Sequence, residues 1–98
     1  MAEQWRSVIG HGAEWYEVSD QGNVRSLDYR RNGRTELLKP GPSGNGYLQV
    51  GFYVDGVRRQ RKVAHLVAEA FHGPRPVGLQ VEHKDRDRTN NRAENLKW

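Results

Sequence analysis

Two alternating runs meet at Asp55-Gly56, and this junction constrains the chain more than any other stretch. Tyr47 to Val54 and Val57 to Val63 flank a dipeptide that tolerates the positive φ of a two-residue hairpin turn. So short a loop fixes the register. Val54 faces Val57, Phe52 faces Arg59, and Leu48 faces Val63. One face of the ribbon then carries Leu48, Val50, Phe52, Val54, Val57 and Val63, which suits a core. The other carries Tyr47, Gln49, Tyr53, Arg58, Gln60 and Lys62. Arg59 and Arg61 fall on the apolar face and must carry their charges to its edge. A two-stranded ribbon of this kind is narrow enough to enter a DNA major groove.

From Val63 the period changes from two to nearly four. Val63, Leu66, Val67, Ala70 and Phe71 follow the spacing of an amphipathic helix, which stops at Gly73-Pro74. His65, Glu69 and His72 share the opposite face. They read as exposed polar groups or as a histidine pinning the helix start, with metal binding the lesser alternative. Residues 40–46 and 73–78 are rich in Gly and Pro and read as loops. Before them, Trp15 to Val18 and Val24 to Leu27 read as strands around the turn cluster Ser19–Asn23. Asn32-Gly33 has the character of a second tight turn.

At 98 residues the chain allows one compact domain or two small lobes. It has no cysteine, so any metal must sit on His, Asp, Glu or Asn. No apolar run suits a signal peptide or a membrane span, and a soluble, cytoplasmic protein is expected, with no membrane partner. The net charge is +4 and the isoelectric point is near 9.8. The excess is concentrated. Between Arg25 and Lys62 stand nine basic residues (Arg25, Arg30, Arg31, Arg34, Lys39, Arg58, Arg59, Arg61, Lys62) and three acids (Asp28, Glu36, Asp55), a local charge of +6. Such a segment fits a polyanion partner, and fits a solvated basic surface equally.

After the second loop, a short alternating run reaches Glu82 and His83, followed by a segment dense in Asp, Asn and Arg. Strand alternation sends two adjacent side chains to opposite sides unless the strand ends there. A carboxylate beside an imidazole suits metal-assisted hydrolysis. The carboxylate holds a hard cation, and the imidazole accepts a proton from water. The same residues read equally as an exposed polar turn with an incidental histidine.

Val81-Glu82-His83-Lys84-Asp85, with Asn90-Asn91-Arg92, Glu94-Asn95-Leu96 and Trp98, resembles the core of HNH homing-type endonucleases, which are common in phages. Val63 to Phe71 resembles the segment just upstream of that core. Trp15 to Leu27 resembles the fourth nuclease-associated modular domain, a small module found with these nucleases. The resemblance covers nearly the whole chain in the family's order. It implies an α+β protein, with a small antiparallel sheet, a central helix and a ββα-metal finger. Residues 1–62 would be the β-rich DNA-binding module and 63–98 the helix plus nuclease core. By position His83 matches the general base, Glu82 the metal-contacting residue, and Asn95 the central Asn that steadies the loop. The implied cofactor is a divalent metal, Mg2+ or Mn2+, and the implied partner is double-stranded DNA. Candidate DNA contacts are Arg25, Arg30, Arg31, Arg34, Tyr47, Tyr53, Arg58, Lys62, Lys84, Arg86 and Arg88.

The sequence departs from the family pattern in three places. Glu82 is one methylene longer than the usual Asp. Arg86 stands where Gly is common, so the turn there is expected to differ. The final His or Asn of the signature falls after Trp98, which implies an incomplete finger and slow or absent cleavage. It also implies an uncovered apolar side at Leu96 and Trp98, favouring a homodimer or a protein partner. The rival readings are a catalytically inactive DNA-binding module and an inhibitory or interaction protein that keeps the nuclease fold.

Overall fold

The computed structural model describes residues 2–10, 12–27 and 33–98. Arg30, Arg31 and Asn32 lie outside the described residues.

The ribbon forms as its sequence dictates. Strand β6 (Leu48–Val54) pairs antiparallel with β7 (Val57–Lys62) in the expected register, Val54 opposite Val57 and Phe52 opposite Arg59. Asp55 and Gly56 both take positive φ, 51° and 78°, as a turn matched to strand twist requires. Val50 and Phe52 are buried on the core face. Arg61 leaves that face as anticipated. Its guanidinium donates to the Ile9 carbonyl at 2.7 Å and meets Glu69 at 3.3 Å. The ladder ends at Gln49 opposite Lys62, because Val63 already begins the helix. A short strand, β5 (Gly41–Pro42), joins the other edge of β6, so the Gly/Pro stretch is partly sheet and not wholly loop. Pro survives there because an edge strand can spare its donor.

Helix α1 (Val63–His72) follows directly and buries Val63, Ala64, Leu66, Val67 and Ala68. It ends at Gly73, whose φ of 93° is closed to most side chains. Its last carbonyls need partners, and groups distant in sequence provide two of them. Arg6 donates to the Ala70 carbonyl at 2.8 Å and lies over the Phe71 ring, and the Trp98 indole donates to the Gly73 carbonyl at 3.0 Å.

The N-terminal half is a four-stranded antiparallel sheet of β1 (Trp5–Ser7), β2 (Tyr16–Ser19), β3 (Val24–Ser26) and β4 (Glu36–Leu37), in that order. Strands β2 and β3 match the sequence reading, while β1 and β4 carry too little alternation to be read. Val8, Tyr16, Val18 and Val24 from this half join Val50, Phe52, Leu66, Val67 and Leu96 in one core cluster. Tyr16 stacks on Phe52 with ring centroids 4.0 Å apart. Its hydroxyl accepts the Tyr53 N–H at 2.9 Å. The expected α+β fold is present, and among the described residues the strands pair in three antiparallel sheets, of four, three and two strands. The Gly- and Pro-containing loops interrupt the backbone pairing between them.

The two-stranded sheet pairs β8 (Glu82–His83) with β9 (Leu96–Lys97), after a 3-10 turn at Ala93–Asn95. Here one expectation is corrected. Leu96 is 1% exposed, packed in the shared core. Trp98 is half-buried, tied to the end of α1 and close to the His65 ring. The apolar side expected to lie open at these two residues is filled by α1, and the argument for a covering partner at this end goes with it. Among the described residues no helix is long and apolar enough to cross a membrane.

Candidate active site

Everything around His83 hangs on the short β8–β9 pairing and the loop between its strands. Asn95 closes that loop. Its side-chain carbonyl accepts the Asp85 N–H at 3.1 Å, and its amide donates to Asp85 Oδ1 and to the Asn90 carbonyl, both at 2.9 Å. Asn95 is 9% exposed, so these bonds face little competition from water. Asp85 also accepts from Asn90 Nδ2 at 2.7 Å and from the Asp87 N–H at 2.8 Å. Asp87 accepts from the hydroxyl and the N–H of Thr89. The Asn90 amide, joined by the Asp87 N–H and the Asn95 amide, holds the Asp85 carboxyl below the usual carboxylate range. The Thr89 hydroxyl and N–H do the same for Asp87.

The turn after His83 is closed by the Arg86 N–H on the His83 carbonyl at 3.0 Å. Arg86 has a φ of 64°. The turn was expected to differ because Arg stands where Gly is common. It does not open out: Arg86 adopts the left-handed backbone that Gly takes without strain.

His83 is half-buried, and its Nε2 lies 2.9 Å from Asn91 Oδ1. The Tyr47 ring tilts against the imidazole at 5.9 Å. Lys62 Nζ and the Arg88 guanidinium each lie 4.7 Å from the Tyr47 ring centroid, within reach of a cation–π attraction. Arg88 also donates to the Asn45 carbonyl. Tyr47, Val81, Glu82, His83, Arg86 and Arg88 line an open cleft of about 420 Å³. Alternation does part Glu82 from His83: Glu82 Oε2 lies 3.5 Å from Lys97 Nζ, while His83 reaches Asn91. Both nevertheless border the same cleft.

Glu82 is the carboxylate on that cleft, whereas both Asp85 oxygens and Asp87 Oδ1 bond within the loop. Among the described residues no three metal-binding side chains gather. One carboxylate suffices for a hard cation that takes its other ligands from water and phosphate, so the donor set fits such an ion as a partial anchor. His65, Glu69 and His72 form no metal set. Burial, with Lys62 and Arg75 nearby, pushes the His65 pKa down; Glu69 pairs with Arg61, and His72 Nε2 lies 2.6 Å from the Ala93 carbonyl.

The other candidate contacts spread outward. Lys84 reaches the Glu94 carbonyl. Tyr53 is exposed near the hairpin tip with Arg58 beside its ring. Arg25 pairs with Glu17 at 2.6 Å and lies over the Trp5 ring at 4.0 Å; Arg34 pairs with Glu36 at 2.6 Å. None of these five lines the cleft. Sequence reasoning placed Asn91 in a motif without giving it a role. Its contact with His83 crosses the loop, and no spacing rule predicts it.

Comparison with known proteins adds family to geometry. Residues 61–98 match the HNH endonuclease family and residues 3–53 match the NUMOD4 motif. The chain is 34% identical over 95 residues to the DNA endonuclease I-HmuI of Bacillus phage SP01, covering 97% of this chain and 51% of that protein. An uncharacterized HNH endonuclease of Acanthamoeba polyphaga mimivirus is 32% identical over 100 residues, covering 99% of this chain and 24% of the relative. A solved structure concerned with DNA binding and cleavage by the HNH homing endonuclease I-HmuI superposes with a TM-score of 0.82 at 33% identity, over 97% of this chain and 51% of that one. The chain thus spans about half of I-HmuI.

Proposed function

This chain belongs to the HNH homing-type endonuclease family and carries a NUMOD4 motif, and on that premise we propose that it hydrolyses phosphodiester bonds in duplex DNA. One observation carries the reading. A single cleft presents a carboxylate, an imidazole and two guanidinium groups, in Glu82, His83, Arg86 and Arg88.

His83 accepts a proton from the attacking water. Asn95 keeps the loop closed so that the imidazole stays in place. Arg86 and Arg88, with Lys62 and Lys84 nearby, take the phosphates on either side of the scissile bond. Tyr47 offers a flat apolar surface between cations. Arg25, Arg34, Tyr53 and Arg58 extend the contact along the duplex, and Arg30 and Arg31 are assigned to it by charge alone. HNH nucleases generally use a divalent metal. Glu82 together with phosphate oxygens would hold Mg2+ or Mn2+, which when bound supplies positive charge against the phosphate.

The test is nicking of supercoiled plasmid with Mg2+ or Mn2+ by the natural protein and its His83→Ala variant. The variant should lose roughly a hundredfold to ten-thousandfold in rate and keep its DNA affinity. Wild-type rates in the variant would overturn the role of His83. Binding without cleavage in the natural protein would favour a DNA-binding module that keeps the nuclease fold.

A further inference from the structure

We infer that Gly22, in the turn between β2 and β3, is a positioning residue for His83, so that the N-terminal module helps to build the catalytic site. The inference rests on the reading of His83 as the base. It goes further, because the β2–β3 turn itself lines no part of the cleft.

The turn is a rigid object. The Ser19 N–H donates to the Asn23 carbonyl at 2.8 Å and the Gly22 N–H to the Ser19 carbonyl at 3.1 Å. The buried Ser19 hydroxyl oxygen accepts the N–H groups of Gln21 and Asn23. Against it lies the far end of the nuclease loop. The Ala93 N–H donates to the Asp20 carbonyl at 2.8 Å. Gly22, at a φ of 87°, abuts Asn91 so closely that a Cβ would stand 2.9 Å from the Asn91 carbonyl oxygen and 3.0 Å from its carbonyl carbon. These are backbone atoms that cannot swing aside. The turn therefore fixes residues 91–93 by a hydrogen bond at one point and by steric contact at the other.

Asn91 is 4% exposed, and its Oδ1 faces His83 Nε2 at 2.9 Å. With the Asn91 amide in this orientation its oxygen accepts, which assigns the proton of the neutral ring to Nε2. Nδ1 is left as the proton acceptor. Anything that shifts the Asn91 backbone shifts this bond, and with it both the tautomer and the aim of the imidazole. Displacements of about 1 Å at such a group can cost roughly a hundredfold in rate. The two stretches matched separately, 3–53 and 61–98, thus meet at Asn91 as well as in the shared core, and Asn91 bonds the imidazole of the base.

The experiment reads the tautomer directly, by long-range proton–nitrogen NMR of histidine-labelled full chain at a pH where imidazoles are neutral. His83 should show the Nε2–H form in the wild type and lose it, giving mixed tautomers, in both Asn91→Ala and Gly22→Ala. Gly78→Ala is the control for backbone strain, since Gly78 has a φ of 82° and open space around it; it should keep the wild-type pattern. If Gly22→Ala fails to fold, Gly22→Asn brings the same Cβ with better tolerance of left-handed backbone and is read in the same way. A folded variant at position 22 that retains the wild-type signal, or an Nδ1–H form in the wild type, overturns the inference. In the natural enzyme Gly22→Ala should lower kcat with little change in KM for DNA. A shifted tautomer with His83→Ala still cleaving at full rate would count against the functional reading and leave the positioning intact.

Discussion

Arg86 shows how a single residue can be held against its own preference. Among the described residues three non-glycine residues take positive φ, namely Asn45, Asp55 and Arg86. Asn and Asp tolerate that region because their short polar side chains bond locally, whereas an arginine gives up roughly 1–2 kcal/mol there. Arg86 stands on the rim of the cleft, where a cation is useful to a phosphate. Arg86→Gly should raise the unfolding free energy by up to about 1 kcal/mol, net of the extra freedom glycine has when unfolded. The same variant should bind DNA more weakly with a shallower salt dependence. Urea unfolding and a salt-titrated binding assay read the two effects, and a variant that is neither more stable nor weaker in binding would remove the trade-off.

At the scale of elements, one residue at the start of α1 serves two purposes. Lys62 occupies the helix N-cap with no side-chain bond to the first turn, and that turn has no acidic residue. A cation there is unfavourable to the helix dipole, yet the ammonium lies over Tyr47 beside the cleft. Lys62→Asp should stabilise the fold by about 1 kcal/mol through a proper cap, raising Tm by roughly 4–8 °C for a domain of this size. DNA affinity should fall. A lower Tm would mean that the Lys62–Tyr47 contact outweighs the cap. One turn further along, burial, then Lys62, then Arg75 depress the His65 pKa. The unfolded chain therefore binds this proton more readily than the folded one just below the ordinary 6.5. The stabilisation is complete above that value and is lost as pH falls through the lowered one. Urea midpoints should decline across this window in the wild type and less steeply in His65→Gln; parallel declines would assign the effect to other groups.

For the molecule as a whole, charge and shape should combine in DNA binding. The described cations of the +6 segment lie across the ribbon and the N-terminal sheet, and several of them already have partners: Arg25 with Glu17, Arg34 with Glu36, and Arg61 with Glu69 and Ile9. Arg58 and Lys62 lie against aromatic rings instead, on the polar ribbon face. Binding to duplex DNA should weaken steeply with salt through counterion release, and neutralising Arg58 and Lys62 together should flatten the log–log slope by about two phosphate contacts. An unchanged slope and affinity in that double variant would place the DNA on another face.

Local signals in the sequence determined the local structure. A two-residue turn admits one register, so Asp55-Gly56 fixed the ribbon. A change of period followed by Gly73 fixed α1. The linked motifs around His83 and Val24 determined the family. Strands of two or three residues such as Trp5–Ser7 and Glu36–Leu37 were not legible, because such pieces have no periodicity and form only where a neighbour offers an edge. Tertiary structure alone decided that Leu96 is buried, that Tyr47 lies beside His83, and that Gly22 abuts Asn91. The last of these joins residues 69 positions apart across one close-packed contact. Position in a sequence can propose that His83 is the base, but the direction its imidazole faces is fixed by atoms that pack against it from elsewhere in the chain.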